Sequence, residues 1–378
     1  MIVLVSHNDR ARSPLLTAPL IAAVCFTLVH AAPAVAQQSQ PSRLAVDTVA
    51  AVDVSVTDEG DAATGLTADA LISVEFGRGV EFITRPFLQR LASTGEWNAQ
   101  LWLAAMRYEY GDKVAVRLDA GYIPSPIGMA NLMLRPHTNP TIALPASLFA
   151  SLPLVDAGGP RTTLLGAVYP LGVSGTVSSL RWDVRSAVID SSPARTRRVF
   201  ADSAPPNPPR FTNFVVGGGV TPVIGVRFGA SIAHGPWERA GESPSADRSR
   251  SLTIATLEAD VSYAHTRVQA EWTRDQFSVN TGNVTSRGWF AQGTQTLSPR
   301  WFVAGRVERL SAPAIVAAPD IVHVSRQRQR LHGAETTVGY RLSPELTLRA
   351  SYRMRRPFGR DDIDHVGAVS IVWWRRWR

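Results

Sequence analysis

Between Val338 and Met354, hydrophobic and polar positions alternate with a period of two on either side of Ser343-Pro344-Glu345. Val338, Tyr340 and Leu342 share one face of the first arm; Leu346, Leu348, Ala350, Tyr352 and Met354 share one face of the second. Gly339, Arg341, Thr347, Arg349, Ser351 and Arg353 fill the opposite face. Such alternation predicts two strands joined by a tight turn. Whether the apolar face meets a protein core or lipid depends on the rest of the chain.

The same unit recurs. Trp97–Tyr110 and Val114–Tyr122 flank Gly111-Asp112-Lys113, and Thr163–Tyr169 and Leu180–Ile189 flank a Gly/Ser connection. Asn213–Val220 and Val223–Ala233 flank Thr221-Pro222, and Leu252–Tyr263 and Arg267–Phe277 flank Ala264-His265-Thr266. Gly288–Leu297 and Trp301–Leu310 flank Ser298-Pro299-Arg300. Proline presets a turn φ, and Ser or Thr hydrogen-bonds the local backbone. The intervening connections are long and polar or Pro-rich: Ser191–Arg210, Gly235–Arg250, Ser278–Arg287, Ser311–Leu331 and Arg355–His365.

Counting back from the last segment, Val366–Trp374, puts every short turn at one end without a parity conflict. Val80–Phe87 and Ala70–Phe76 join at Gly77-Arg78-Gly79, and a further strand, Val46–Val56 with Thr57–Thr67 as its loop, completes the set. The sum is about 16 strands, with short connections at one end and long ones at the other, as in a bacterial outer-membrane barrel. The fold class expected is therefore all-β, a transmembrane antiparallel β-barrel with short periplasmic turns and long extracellular loops.

The N-terminus agrees. Residues 1–36 read as a secretory signal peptide, with Arg10 and Arg12, the apolar stretch Leu15–Val29 and the cleavage site Ala34-Val35-Ala36. The barrel then occupies residues 37–378. The single cysteine, Cys25, lies inside the signal, so no disulfide is expected in the mature chain. No later segment is apolar enough for a membrane helix.

Charge changes the picture where it falls. The formal net charge is +8 with one lysine, Lys113, so the excess is arginine. GC-rich codon usage explains that in part; an anionic membrane surface or anionic solutes explain it functionally. Alternation assigns Trp102, Met106, Tyr108, Ile224, Val226, Phe228 and Trp272 to lipid, with aromatics such as Tyr110, Tyr122, Trp301 and Trp373 near strand ends. The opposite face carries Arg107, Arg117, Arg181, Arg185, Arg227, Arg267, Arg306, Arg341, Arg349 and Arg353, mostly with a carboxylate nearby. A lipid-facing arginine at mid-depth costs roughly 2–4 kcal/mol, so these are expected to line a wet pore. They either pair to hold the barrel's shape or leave a positive field favouring anions.

The connection over residues 123–162 stands apart, with Met129, Leu132, Met133, Leu134, Ile142, Leu144, Leu148, Phe149, Leu152 and Leu154. So apolar a loop is expected to fold into the barrel or over its mouth, which makes Arg135, His137 and Arg161 constriction candidates. A cap or subunit contact is the other reading.

No catalytic constellation is found. His137, His234, His265, His323, His332 and His365 have no motif spacing. Asp361, Asp362 and Asp364 read as a solvated loop rather than a cation site, and no cofactor, metal or nucleic-acid module is recognised. The chain is not expected to be an enzyme.

Gly121-Tyr-Ile-Pro-Ser-Pro-Ile-Gly128 is similar to the Gly-x-x-x-[Ser/Thr]-Pro-[Phe/Ile]-Gly element of the phosphate-selective porin-like families. Glu258-Ala-Asp-Val-Ser-Tyr263 with Gln269-Ala-Glu-Trp272 resembles their paired-strand pattern. The resemblance implies a 16-stranded, often homotrimeric, passive channel in the bacterial outer membrane, touching lipid and lipopolysaccharide. Two departures stand out: Arg378 follows Trp377 where such barrels end in an aromatic, and the families' anion-binding lysines have no counterpart. Phosphate selectivity is therefore not carried over. The expected function is passive diffusion of small hydrophilic solutes with a mild anion preference. The alternative is a plugged barrel serving attachment, secretion or membrane scaffolding.

Overall fold

The computed structural model describes residues 44–77, 79–91, 94–154, 162–166, 169–195, 210–242, 247–279, 282–318 and 321–377, with the backbone alone over 315–318 and 321–326. The expected signal peptide and Arg161 lie outside the described residues. β1 spans Leu44–Thr57, β2 Ala62–Gly77, β3 Val80–Arg90 and β4 Trp97–Tyr110. β5 is Ala115–Tyr122, β6 Leu171–Ser178, β7 Trp182–Ile189 and β8 Asn213–Val223. β9 is Val226–Glu238, β10 Arg250–Tyr263, β11 Thr266–Val279 and β12 Gly282–Thr296. β13 is Trp301–Ala318, β14 Ile321–Arg341, β15 Leu346–Arg356 and β16 Asp364–Trp377.

The sixteen strands pair antiparallel in chain order, and β1 closes on β16 from Val46↔Trp377 to Thr57↔Val366. Closure leaves no edge, so strand backbone groups are satisfied without water, the condition for crossing a bilayer with strands. The start of β1, the end of β16 and the tight turns lie at one end, the periplasmic end of an outer-membrane barrel. Outward side chains form an exposed apolar band that includes Val184, Phe214, Val216, Phe228, Ile232, Leu257, Val369 and Ile371. An apolar band of this extent faces lipid.

Several sequence expectations are corrected. The strand expected over Thr163–Tyr169 is not found in its described part: residues 163–166 are irregular, and adjacent Leu164 and Leu165 are both fully buried, unlike the one-sided burial of a wall strand. The Gly/Ser stretch itself is β6. Gly172 is required there, because a Cβ would lie 2.5 Å from Val188 O. Arg181 consequently sits exposed in the β6–β7 turn rather than on a strand lining the pore. Thr221-Pro222 is not a turn but the end of β8, at a register shift between Val220 and Val223 where a missing N–H is tolerated. The turn is Ile224-Gly225, with Gly225 at φ +90°, so Ile224 leaves the strand band.

Trp102, assigned to lipid, points inward. Arg85 pairs with Leu103 and Pro86 with Leu101, making Trp102 the extra residue of a bulge opposite a proline. The loops expected over Thr57–Thr67, Ser278–Arg287 and Ser311–Leu331 are largely strand, since β2, β11, β12, β13 and β14 extend into them.

Candidate functional site

The lumen is organised by the connection between β5 and β6. The chain leaves β5 at Gly121, whose φ of +129° places a hypothetical Cβ 2.4 Å from Ala104 O. Ile123 and Ile127 are fully buried. Gly128 (φ +72°) then brings the backbone against Glu271 on β11, and a Cβ there would lie 2.8 Å from its Oε2. The Glu271 carboxylate accepts the N–H groups of Met129 and of Ala130, the latter at 3.1 Å. A 3-10 turn over Ala130–Met133 follows.

The connection next reaches β1 and β2. Arg135 donates to Asp47 O at 2.9 Å and lies 3.3 Å from the Asp69 carboxylate. His137 stacks on Trp374 with ring centroids 5.4 Å apart. Burial, and then the adjacent Arg135 charge, push its pKa down to about 4, so the ring is neutral at pH 7. The chain returns along the wall. Arg349 on β15 donates to Pro136 O, Asn139 O and Thr141 O at 3.1, 2.7 and 2.9 Å. Glu335 on β14 accepts Ile142 N–H and Ala143 N–H at 2.9 and 3.1 Å. Glu308 on β13 accepts Ala146 N–H at 2.8 Å. A single helical turn, Ala146–Phe149, follows. Carboxyl and guanidinium groups of the wall thus hold loop backbone groups that no strand partner satisfies, which replaces water at those groups.

Beside this polar layer the contact is apolar. Ile127, Leu148, Leu152 and Leu164 from the connection pack in one cluster with inward Phe87, Ile254, Phe277, Phe290 and Leu310. The inner wall therefore has two characters. Over β11–β15 and β1–β3 it is dry: side-chain exposure is 2% for both Arg306 and Glu335, and 5% and 0% for Arg85 and Asp69.

Over β4–β11, towards the periplasmic end, charged side chains keep water. Arg107 pairs with Asp119 at 2.7 Å, Arg185 with Glu258, and Arg227 with both Asp183 (2.9 Å) and Glu258 (3.1 Å). Arg117 and Arg267 are 42% and 52% exposed in their side chains. Gly219 and Gly229 make this wall thin: a Cβ on either would meet the Arg227 guanidinium, at 2.6 and 3.0 Å. Arg227 lies flat over glycine and leaves lumen space in front of it.

Of the remaining residues singled out, Arg341 is near the periplasmic turns, donating to Pro299 O at 3.2 Å and covering the Phe302 ring. Arg353 is half-buried on β15, with Arg355 two positions on. Arg349 and Arg306 belong to the dry wall and hold the connection. Sequence reasoning missed the Asp69–Arg85–Tyr169 group, in which Arg85 donates to both partners at 2.5 Å and stacks over Trp102. Its signal was a lone acid between Ala68 and Ala70, and an arginine beside Pro86. Among the described residues, no group of His, Cys, Asp or Glu has the arrangement to hold a metal ion.

No family model matches the sequence, and no curated protein matches it. Solved structures do. An anion-selective porin from Comamonas acidovorans aligns over 88% of this chain and 98% of its own, at TM-score 0.57 and 11% identity. OmpF of Salmonella typhi, solved with daunomycin, aligns over 88% and 97% at TM-score 0.55 and 9% identity. The trimer form of OmpT, an outer-membrane protein of Vibrio cholerae, aligns over 88% and 99% at TM-score 0.54 and 8% identity. What the chain shares with these proteins is the fold, a closed 16-strand outer-membrane barrel of the porin type.

Proposed function

We infer that the chain is an outer-membrane diffusion channel for small hydrophilic solutes, narrowed by the connection over residues 123–162. One observation carries this reading: the inner wall is divided between a dry half bonded to the connection and a half whose paired charges still meet water. Solutes pass along the second half, over Arg107, Arg117, Arg185, Arg227 and Arg267. Arg135 and His137 lock the connection in place and act on solutes only through it. Most arginines of the wet wall have a carboxylate partner, so ion selectivity is mild. Arg117 and Arg267 stay exposed while their partners Asp119 and Asp260 are more covered, which tilts it towards anions. A homotrimer is the assembly this reading adopts, and no catalysis is assigned.

The apolar cluster spanning β3, β4 and β7–β14 supports a second reading, a plugged barrel serving attachment, secretion or membrane scaffolding. Planar-bilayer reconstitution separates the two. The first expects discrete conductance steps and a reversal potential in a KCl gradient on the anion side of zero. Folded protein that carries no current supports the second, and a cation-side potential refutes the anion preference.

A further inference from the structure

On the outer face of β11–β15 the apolar band gives way to basic residues within one outward position from strand to strand. Reading towards the extracellular end, Trp272 is followed by Arg274, Trp289 by Arg287, Val307 by Arg309, Ala334 by His332 and Met354 by Arg356. Register makes these a row rather than scattered positions. Arg274 faces Arg287, and Arg287 and Arg330 face Ser311 from either side; one outward position lower, Arg309 faces Trp289 on one side and His332 on the other, and His332 faces Arg356.

Facing residues in an antiparallel pair have Cβ atoms about 4.5–5.5 Å apart, where like charges repel. The acids of these strands, Glu271, Asp275, Glu308 and Glu335, are all buried on the inner side. Arg356 pairs with Asp361 of the β15–β16 connection. For Arg274, Arg287, Arg309 and Arg330 no carboxylate lies within ion-pair distance among the described residues. Four guanidinium groups are thus clustered at the upper edge of the apolar band, with no carboxylate among the described residues to compensate them. That height is the outer-leaflet headgroup level, and Trp272 faces Trp289 just beneath.

We propose that this row is a binding site for the phosphorylated headgroup of the outer-leaflet glycolipid, lipopolysaccharide. Guanidinium groups bind phosphate oxygens bidentately. A bisphosphorylated headgroup returns the missing negative charge while its acyl chains lie on the apolar band below. A second copy of the chain would have to bring its own acids against the row. The site is independent of whether the lumen conducts.

The test is thermal unfolding of the folded barrel in neutral detergent, titrated with bisphosphorylated lipid A, with dephosphorylated lipid A or with phosphatidylethanolamine. The expected result is a concentration-dependent rise in midpoint with the bisphosphorylated lipid alone. Arg274→Gln/Arg287→Gln/Arg309→Gln/Arg330→Gln should weaken it by about tenfold or more, and the corresponding Arg→Lys variant, which keeps the charge but not the bidentate fork, should bind more tightly than the Gln variant and more weakly than the unaltered chain. Equal response to the dephosphorylated lipid overturns the proposal, and so does undiminished binding by the Gln variant. If the Gln variant does not fold, the lipid comparison on the unaltered chain and the Lys variant still decide.

Discussion

Arg349 is the strongest single test of how the connection is held. The residue is 4% exposed, and its guanidinium donates to Pro136 O, Asn139 O and Thr141 O, all from one nitrogen, and to Ser370 Oγ at 2.8 Å. One nitrogen carries two hydrogens, so the three carbonyls share the equivalent of two charged hydrogen bonds. At roughly 1.5–3 kcal/mol each, the gross loss in Arg349→Met is about 3–6 kcal/mol. Water entering the vacated space restores part of that, and the variant no longer buries a charge. A net loss of about 3 kcal/mol remains, which multiplies local opening of residues 136–143 by roughly 100. Hydrogen exchange followed by mass spectrometry reads this directly. Protection across 136–143 should fall about a hundredfold, while the peptide containing Met129 and Ala130, held by Glu271, changes little. A fall of less than about fivefold would mean that the apolar cluster alone holds the segment, and the anchoring account would be wrong.

Acid should loosen the same segment. Because the folded pKa of His137 is depressed to about 4 against 6.5 when unfolded, its contribution is intact above pH 6.5 and is lost as pH falls towards 4. Discounted for its partial exposure, the loss is about 1–2 kcal/mol. Limited proteolysis at pH 7 and pH 4.5 should show cleavage in 135–141 at the lower pH alone, and His137→Phe should remove most of the difference. Gly339→Ala should impair folding, because a Cβ there would fall within 2.0 Å of the Phe302 ring. Heat-modifiability on gels should show a folded fraction lowered by a destabilisation of about 1–3 kcal/mol, and Gly339→Ala combined with Phe302→Leu should restore it.

The strand count and the end carrying the tight turns were legible because lipid and lumen impose period two on every strand. The alternation failed where another constraint overrode it. At Trp102, Pro86 on the neighbouring strand cannot complete the ladder, and the resulting bulge turns an indole inward that simple parity sends to lipid. β6 was read as a connection because its inner side chains are Gly172, Ser174 and Thr176, small enough to escape a hydrophobicity pattern. The upper ends of β13 and β14 rise past the apolar band and carry polar outward residues, so Ser311 and Arg330 look like loop residues.

For the lumen, alternation picked out inward-facing arginines, with Arg181 misplaced, but not which of them stay wet. That depends on where the connection lies, and Arg306 and Arg349 look in sequence like Arg227 and Arg267. The anchors are backbone N–H and C=O groups of the connection, which carry no sequence signal. Its many apolar residues were the visible sign that it avoids bulk water.

The account rests on the connection narrowing a passage that is otherwise open, and single-channel conductance of the full chain against a deletion of residues 136–160 tests this most directly. The account predicts small, discrete conductance steps for the full chain and several-fold larger steps for the deletion. Equal conductance from two folded barrels, or no current from either, would contradict it.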